Sequence, residues 1–128
     1  MDENYQELII ELYKNPLNFG EIKNADLKGE TRNLSCGDVV TLYIKLDDKK
    51  IIDARHAGAG CAISQASASL LTEYLKGKTL EEAKKINKDD ILKLIRIDLS
   101  KNPTRMKCAL VSLDALKKAL NPNYDCTM

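Results

Sequence analysis

An alternation near the middle of the chain does most to limit its fold. Val40, Leu42, Ile44 and Leu46 are apolar and interleave with Thr41, Tyr43 and Lys45. Successive side chains of a strand point to opposite faces, so a period of two describes a strand with one face against a core. Asp47 to Lys50 then makes a turn, and Ile51 to Ala57 is a second strand expected to pair antiparallel with the first. His56, the only histidine, shares a strand face with Ile52 and Ala54.

The flanks read as helices. Tyr5, Leu8, Ile9, Leu12 and Tyr13 recur at helical spacing before Asn15-Pro16, and a polar connection runs from there to about Gly29. Gly58-Ala59-Gly60-Cys61 is expected as a flexible hinge. Beyond it, Ile63, Ala66, Leu70, Leu71, Tyr74 and Leu75 trace one face of a helix that ends at Gly77. Thr79-x-x-Glu82 and Asn87-x-x-Asp90 have the form of capping signatures that open two short helices. After Asn102-Pro103-Thr104, residues Ala109, Leu113, Leu116 and Leu120 mark a last amphipathic helix stopped by Asn121-Pro122. Helix, strands, then helices give an α+β fold: a small antiparallel sheet of about three strands covered by several helices. With no repeat, low-complexity tract or linker, residues 1–128 are expected to form a single domain.

Charge and composition narrow the function classes. Twenty basic residues against nineteen acidic leave a formal charge of +1, so no overall field selects nucleic acid or an anionic membrane. Neither is an expected partner. The chain opens Met1-Asp2-Glu3-Asn4, the wrong charge for a secretory leader, and no apolar run reaches the roughly 18 residues of a membrane span. A cytoplasmic location is expected. In a reducing compartment four cysteines are too few for a disulfide framework and read as metal-binding or reactive thiols.

Three of the four stand at junctions between loops and regular elements. Cys36 precedes the first strand, Cys61 follows two glycines and precedes a helix, and Cys108 is near the start of the last helix. Their separations of 25 and 47 residues match no zinc-finger or ferredoxin spacing, so convergence in space is the expectation. A helix N-terminus offers backbone amides and a positive dipole end, which makes Cys61 the most activated thiol of the three. Cys36-Gly37-Asp38 adds a carboxylate, and the glycine lets the backbone turn tightly enough for both groups to face one ion. Three thiolates and Asp38 would complete a tetrahedral site, suited to zinc or to a loosely held iron-sulfur cluster. Ser64, Ser67 and Ser69 have no paired base and read as small packing or capping residues, His56 as a structural residue, and Cys126 as a spare thiol of the tail.

Asn15-Pro16-Leu17-Asn18-Phe19-Gly20, Cys36-Gly37-Asp38, Gly60-Cys61-Ala62-Ile63-Ser64-Gln65-Ala66-Ser67-Ala68-Ser69, Lys76-Gly77-Lys78-Thr79 and Arg105-Met106-Lys107-Cys108-Ala109 occur in this order along nearly the whole chain. Together they resemble the IscU/SufU family of iron-sulfur cluster assembly scaffolds, similar also to the N-terminal domain of NifU. The resemblance implies a scaffold without a turnover reaction of its own. A cysteine desulfurase donates sulfur as a persulfide, an iron donor supplies iron, and a transient cluster, [2Fe-2S] by preference, passes to apo iron-sulfur proteins. Cys36, Cys61 and Cys108 would be ligands and sulfur acceptors, Asp38 the labile fourth ligand, and the protein a monomer or a dimer or trimer joined through the cluster.

The chain departs from the family pattern at three places. Lys107 stands where IscU members carry histidine, as in SufU-like members, which leaves Asp38 as the fourth ligand. The SufU insertion between the second and third cysteines is lacking, and Lys101-Asn102-Pro103-Thr104-Arg105 replaces the Leu-Pro-Pro-Val-Lys chaperone stretch. The alternatives are a zinc-dependent sulfur acceptor or sulfurtransferase of the SufU type, and an interaction module with structural zinc.

Overall fold

The computed structural model describes residues 3–33, 37–95 and 103–121. Cys36, Cys126 and the Lys101-Asn102 pair fall outside these stretches, and the side chains of Tyr5 and Arg105 fall outside the description too. The elements are α1 (Glu3–Lys14), β1 (Leu27–Asn33), β2 (Asp38–Asp47), β3 (Lys50–Ala59), α2 (Ala62–Leu75), α3 (Leu80–Lys84), α4 (Lys88–Ile95) and α5 (Pro103–Leu120). The strands form one antiparallel sheet in the order β1-β2-β3, which is the α+β architecture expected. Among the described residues no helix is long and apolar enough to cross a membrane.

The β2–β3 hairpin closes as its alternation requires. Asp48 and Lys49 both adopt positive φ, 49° and 68°, the left-handed pair that lets a two-residue turn follow the strand twist. Leu42 pairs with His56 and Ile44 with Ala54, so these four share the core face. A register shift between Lys45 and Leu46 sets Leu46 opposite Ile51, and Ile51 is buried while Ile52 is 54% exposed. The expectation that Ile52 shares the face of Ala54 and His56 is therefore corrected: the shift breaks the period of two at that point.

The third strand of the expected sheet is not located by the sequence, which reads as polar connection to about Gly29, yet Leu27 to Asn33 pairs residue for residue with Ile44 to Asp38. Its core-facing positions are Leu27, Gly29 and Thr31, opposite Ile44, Leu42 and Val40. Gly29 is the reason the strand reads as loop. A Cβ there would lie 2.2 Å from Ala115 O and 2.5 Å from Ala119 N, so the backbone of α5 occupies the space a side chain would fill. Gly58 and Ala59 likewise belong to β3 rather than to a hinge. With φ at +129° and Val39 O 2.0 Å from its would-be Cβ, position 58 admits only glycine.

Helices α2 and α5 lie on the sheet and against each other, with α1 and α4 flanking α2. Of the expected stripe on α2, Ala66, Leu71 and Leu75 are buried, Ile63 and Leu70 are partly buried and Tyr74 is exposed. Ser64, Ser67, Ala68, Ser69 and Thr72 are buried as well, because neighbours enclose the helix on most sides. On α1 only Ile9 and Leu12 among the described members of its stripe are buried, while Leu8 and Tyr13 remain exposed. Leu42, Ile44, Ile51, Leu71, Leu75, Ile91, Ile95 and Leu116 are fully enclosed, each contributing about 1.5–3 kcal/mol of transfer free energy.

Both capping expectations hold. Thr79 and Glu82 form the reciprocal box at α3. Asn87 Oδ1 accepts from Asp90 N at 3.1 Å while Asn87 N donates to Asp90 Oδ2 at 3.0 Å, so Asp closes the box at α4 as well as Glu does at α3. The last helix opens with Pro103 itself, whose fixed φ and missing N–H suit a first helical position.

Candidate metal centre

Asp38 opens β2 on the core-facing row that continues through Val40, Leu42 and Ile44, and period-two geometry alone turns its carboxylate inward. It is 1% exposed. Cys61 is the N-cap residue of α2, in extended conformation, and its side chain makes no capping hydrogen bond. The thiol is therefore left to other partners, half-buried at the positive end of a 14-residue helix. Cys108 lies in the second turn of α5 and is 2% exposed. These three elements bring one carboxylate oxygen and two sulfurs within 4.8 Å of one another.

The two oxygens of Asp38 have different surroundings. Oδ1 accepts a hydrogen bond from the backbone N of Cys61 at 3.0 Å, which ties the start of β2 to the start of α2. Oδ2 is buried and has no hydrogen-bond partner among the described residues. A buried carboxylate oxygen without a donor costs several kcal/mol unless a cation compensates it. Two ligand atoms on a tetrahedral zinc stand about 3.8 Å apart, so a small side-chain adjustment would let all three reach one ion. The donor set of two sulfurs and one oxygen suits zinc or iron, and the orphaned Oδ2 fits a cation at this place.

Gly60 makes room for this arrangement. A Cβ at that position would fall 2.5 Å from Asp38 Oδ1 and 2.4 Å from Ser64 Oγ. Ser64 in turn donates to Cys61 O at 3.0 Å, so its hydroxyl holds the turn from which the thiol projects. The sequence reading takes Gly60 as part of a hinge and Ser64 as a small packing or capping residue, without the contacts to Asp38 and Cys61. The signal was the run Gly60-Cys61 itself, since a carboxylate 22 residues upstream has to approach the backbone there.

Of the expected ligands, Asp38, Cys61 and Cys108 are brought together, whereas Cys36 lies outside the described residues. Lys107, next to Cys108, is exposed. His56 is not in the group. Its Nε2 is 2.9 Å from Leu17 O and 3.2 Å from Ser69 Oγ, and its ring meets Phe19 edge-on at 5.4 Å. A carbonyl can only accept, so Nε2 carries the hydrogen. Burial pushes the His56 pKa down, and the bond to Leu17 O opposes this only in part. Backbone bonds from Gly20 N to His56 O and from His56 N to Asn18 O complete a clamp, so His56 fastens the Asn15–Gly20 segment to the sheet edge. The structural role read for it is the one observed.

Comparison with known proteins follows the same lines. The family model of the NifU-like N terminal domain matches residues 4–126. The iron-sulfur cluster assembly scaffold protein IscU 1 of Archaeoglobus fulgidus is 39% identical over 116 residues, covering 91% of this chain and 74% of the relative. The zinc-dependent sulfurtransferase SufU of Bacillus subtilis is 38% identical over 135 residues, covering 94% and 91%. Among solved structures, SufU of Fervidobacterium islandicum superposes with a TM-score of 0.76 at 36% identity, covering 90% of this chain and 95% of that one.

Proposed function

Because the chain belongs to the family of NifU-like N-terminal domains, we propose that it is a scaffold on which an iron-sulfur cluster is assembled and from which it is passed on. The observation that carries this reading is the grouping of an Asp38 carboxylate oxygen with the sulfurs of Cys61 and Cys108 within 4.8 Å, on a buried carboxylate whose Oδ2 has no hydrogen-bond partner among the described residues. Three ligands of mixed hardness make a site that can hold iron or zinc and still release it, and a carrier needs both. Cys36, two residues from Asp38, is the proposed third thiolate.

Within this reading the half-exposed Cys61 is the first sulfur acceptor. Its thiolate attacks the outer sulfur of a persulfide presented by a cysteine desulfurase. A new sulfur–sulfur bond forms on Cys61 as the donor's own bond breaks, and the donor leaves as a thiolate. Cys108, on α5 and only 2% exposed, takes the role of ligand rather than entry point. The peptide N–H of Cys61 is held by Asp38 Oδ1, so the thiol is presented from a fixed backbone. An iron donor, an external reductant that supplies two electrons to release each persulfide sulfur as sulfide and return the Cys61 thiolate, and apo iron-sulfur acceptors complete the cycle; a [2Fe-2S] cluster is the cargo proposed.

A second reading, zinc-dependent sulfur transfer, is favoured by the match to the B. subtilis SufU along 94% of this chain and by Lys107 in place of an imidazole. In it the same three residues and Cys36 would hold zinc, which supplies a charge that keeps the thiols deprotonated. Anaerobic reconstitution with iron, cysteine, a desulfurase and a thiol reductant separates the two. The scaffold reading expects visible charge-transfer absorption in the wild type that is lost in Cys61→Ser; one tightly retained zinc per chain and no such absorption would favour the second.

A further inference from the structure

The two helices that carry the thiols are joined by a polar bridge that lies outside the metal group. Ser67 Oγ on α2 donates to Ala109 O on α5 at 2.6 Å, and it is 2.7 Å from Ser112 Oγ. Since the Ser67 hydrogen goes to the carbonyl, Ser112 must donate to Ser67, giving the chain Ser112 Oγ–H to Ser67 Oγ–H to Ala109 O. Both serines are buried, at 1% and 0% exposed. A short hydrogen-bonded chain in a dry interface is directional, whereas apolar contacts between helices tolerate small slides.

The position of the bridge relative to the thiols gives it a consequence. Ser112 is one turn beyond Cys108 on the same face of α5, and Ala109 is the residue after Cys108. Ser67 is six residues beyond Cys61, about 9 Å along α2. The bridge therefore sets the axial register of α2 against α5 within two turns of both sulfurs. Cys61 caps α2 and Cys108 is rigidly part of α5, so the separation of the two sulfurs follows that register.

We propose that Ser67 and Ser112 are positioning residues for the metal centre: their hydrogen-bonded bridge fixes the α2–α5 register and thereby the Cys61–Cys108 spacing. The inference rests on the reading of Asp38, Cys61 and Cys108 as ligands. Neither serine belongs to the proposed ligand group, and without the bridge the helices remain packed through their apolar residues but lose a unique register.

Cobalt(II) titration of the full-length protein under anaerobic conditions tests this, because thiolate-to-cobalt charge-transfer and ligand-field bands report the geometry of the site as well as its affinity. Ser67→Ala, which breaks both bonds of the bridge, is expected to bind cobalt about tenfold more weakly, with weakened and shifted ligand-field bands, and Ser112→Ala, which breaks one of them, to shift affinity and bands in the same direction by less. Ile91→Val, a core change on α4, is expected to lower the melting temperature and leave the cobalt spectrum as in the wild type. If Ser67→Ala does not fold, Ser112→Ala carries the test, since it keeps the bond from Ser67 to Ala109. Wild-type affinity and an unchanged spectrum in the serine variants would overturn the positioning role while leaving the metal centre intact. Failure of the wild type itself to bind cobalt through thiolates would overturn the ligand reading and this inference with it.

Discussion

Asp38 Oδ1 accepts the backbone N–H of Cys61 at 3.0 Å, while Asp38 Oδ2 is buried with no hydrogen-bond partner among the described residues. One oxygen thus joins β2 to the thiol-bearing end of α2, and the other is held where a cation would satisfy it. The carboxylate has one oxygen in a structural bond and one without a partner among the described residues, and substitutions can test the proposed ligand role separately from the structural one.

Asn at position 38 keeps an oxygen for the Cys61 amide and removes the anionic ligand. Asp38→Asn is expected to lower zinc affinity by about 10- to 100-fold in competition with a chromophoric chelator. The metal-free variant should melt no lower than metal-free wild type, because a buried group with one unsatisfied oxygen has been made less costly. An unchanged affinity with a lowered melting temperature would assign Asp38 to the fold alone.

Two glycines should respond to alanine in opposite ways. At Gly60 the obstructing atoms are the ends of the Asp38 and Ser64 side chains, which can swing aside. Gly60→Ala should fold with a melting temperature near wild type and bind metal poorly, since the Asp38 carboxylate is displaced. At Gly29 the obstruction is the backbone of α5 at Ala115 and Ala119. There alanine should cost about 3 kcal/mol of stability, measured by urea unfolding, because a helix has to move off the sheet.

Acid should loosen the clamp at His56. Burial lowers its pKa in the folded state, so between the unfolded value near 6.5 and the lower folded value the unfolded chain binds more protons. Stability is accordingly full above about pH 6.5 and is lost as pH falls through the folded pKa. Wild-type melting temperature should decrease between pH 7.5 and 5.5 more steeply than that of His56→Gln, which can keep a donor towards Leu17 O. Parallel slopes in the two proteins would remove His56 as the cause.

How far the sequence discloses this arrangement depends on which residue faces the core. The β2–β3 hairpin is legible because Val40, Leu42 and Ile44 are large and apolar, and the same alternation extended two residues back turns Asp38 inward. The first strand is hidden because its core-facing row contains Gly29 and Thr31, α5 supplying the bulk that a side chain normally would. Ile52 is misplaced because the register shift after Lys45 has no glycine or proline to announce it. Of the centre, the thiols and Asp38 are visible as reactive residue types at element ends. The Asp38–Cys61 bond and the Ser67–Ser112 bridge are not, since they join positions 23 and 45 residues apart whose pairing only the packed fold decides.

Transfer of a reconstituted cluster to an apo-ferredoxin, followed by circular dichroism in the visible range, tests the scaffold most directly. If the centre holds an iron-sulfur cargo for delivery, the ferredoxin spectrum should grow in as the scaffold spectrum decays, and Cys61→Ser should supply none. No cluster formed on the wild type, or one that stays bound in the presence of excess apo-ferredoxin, would contradict it.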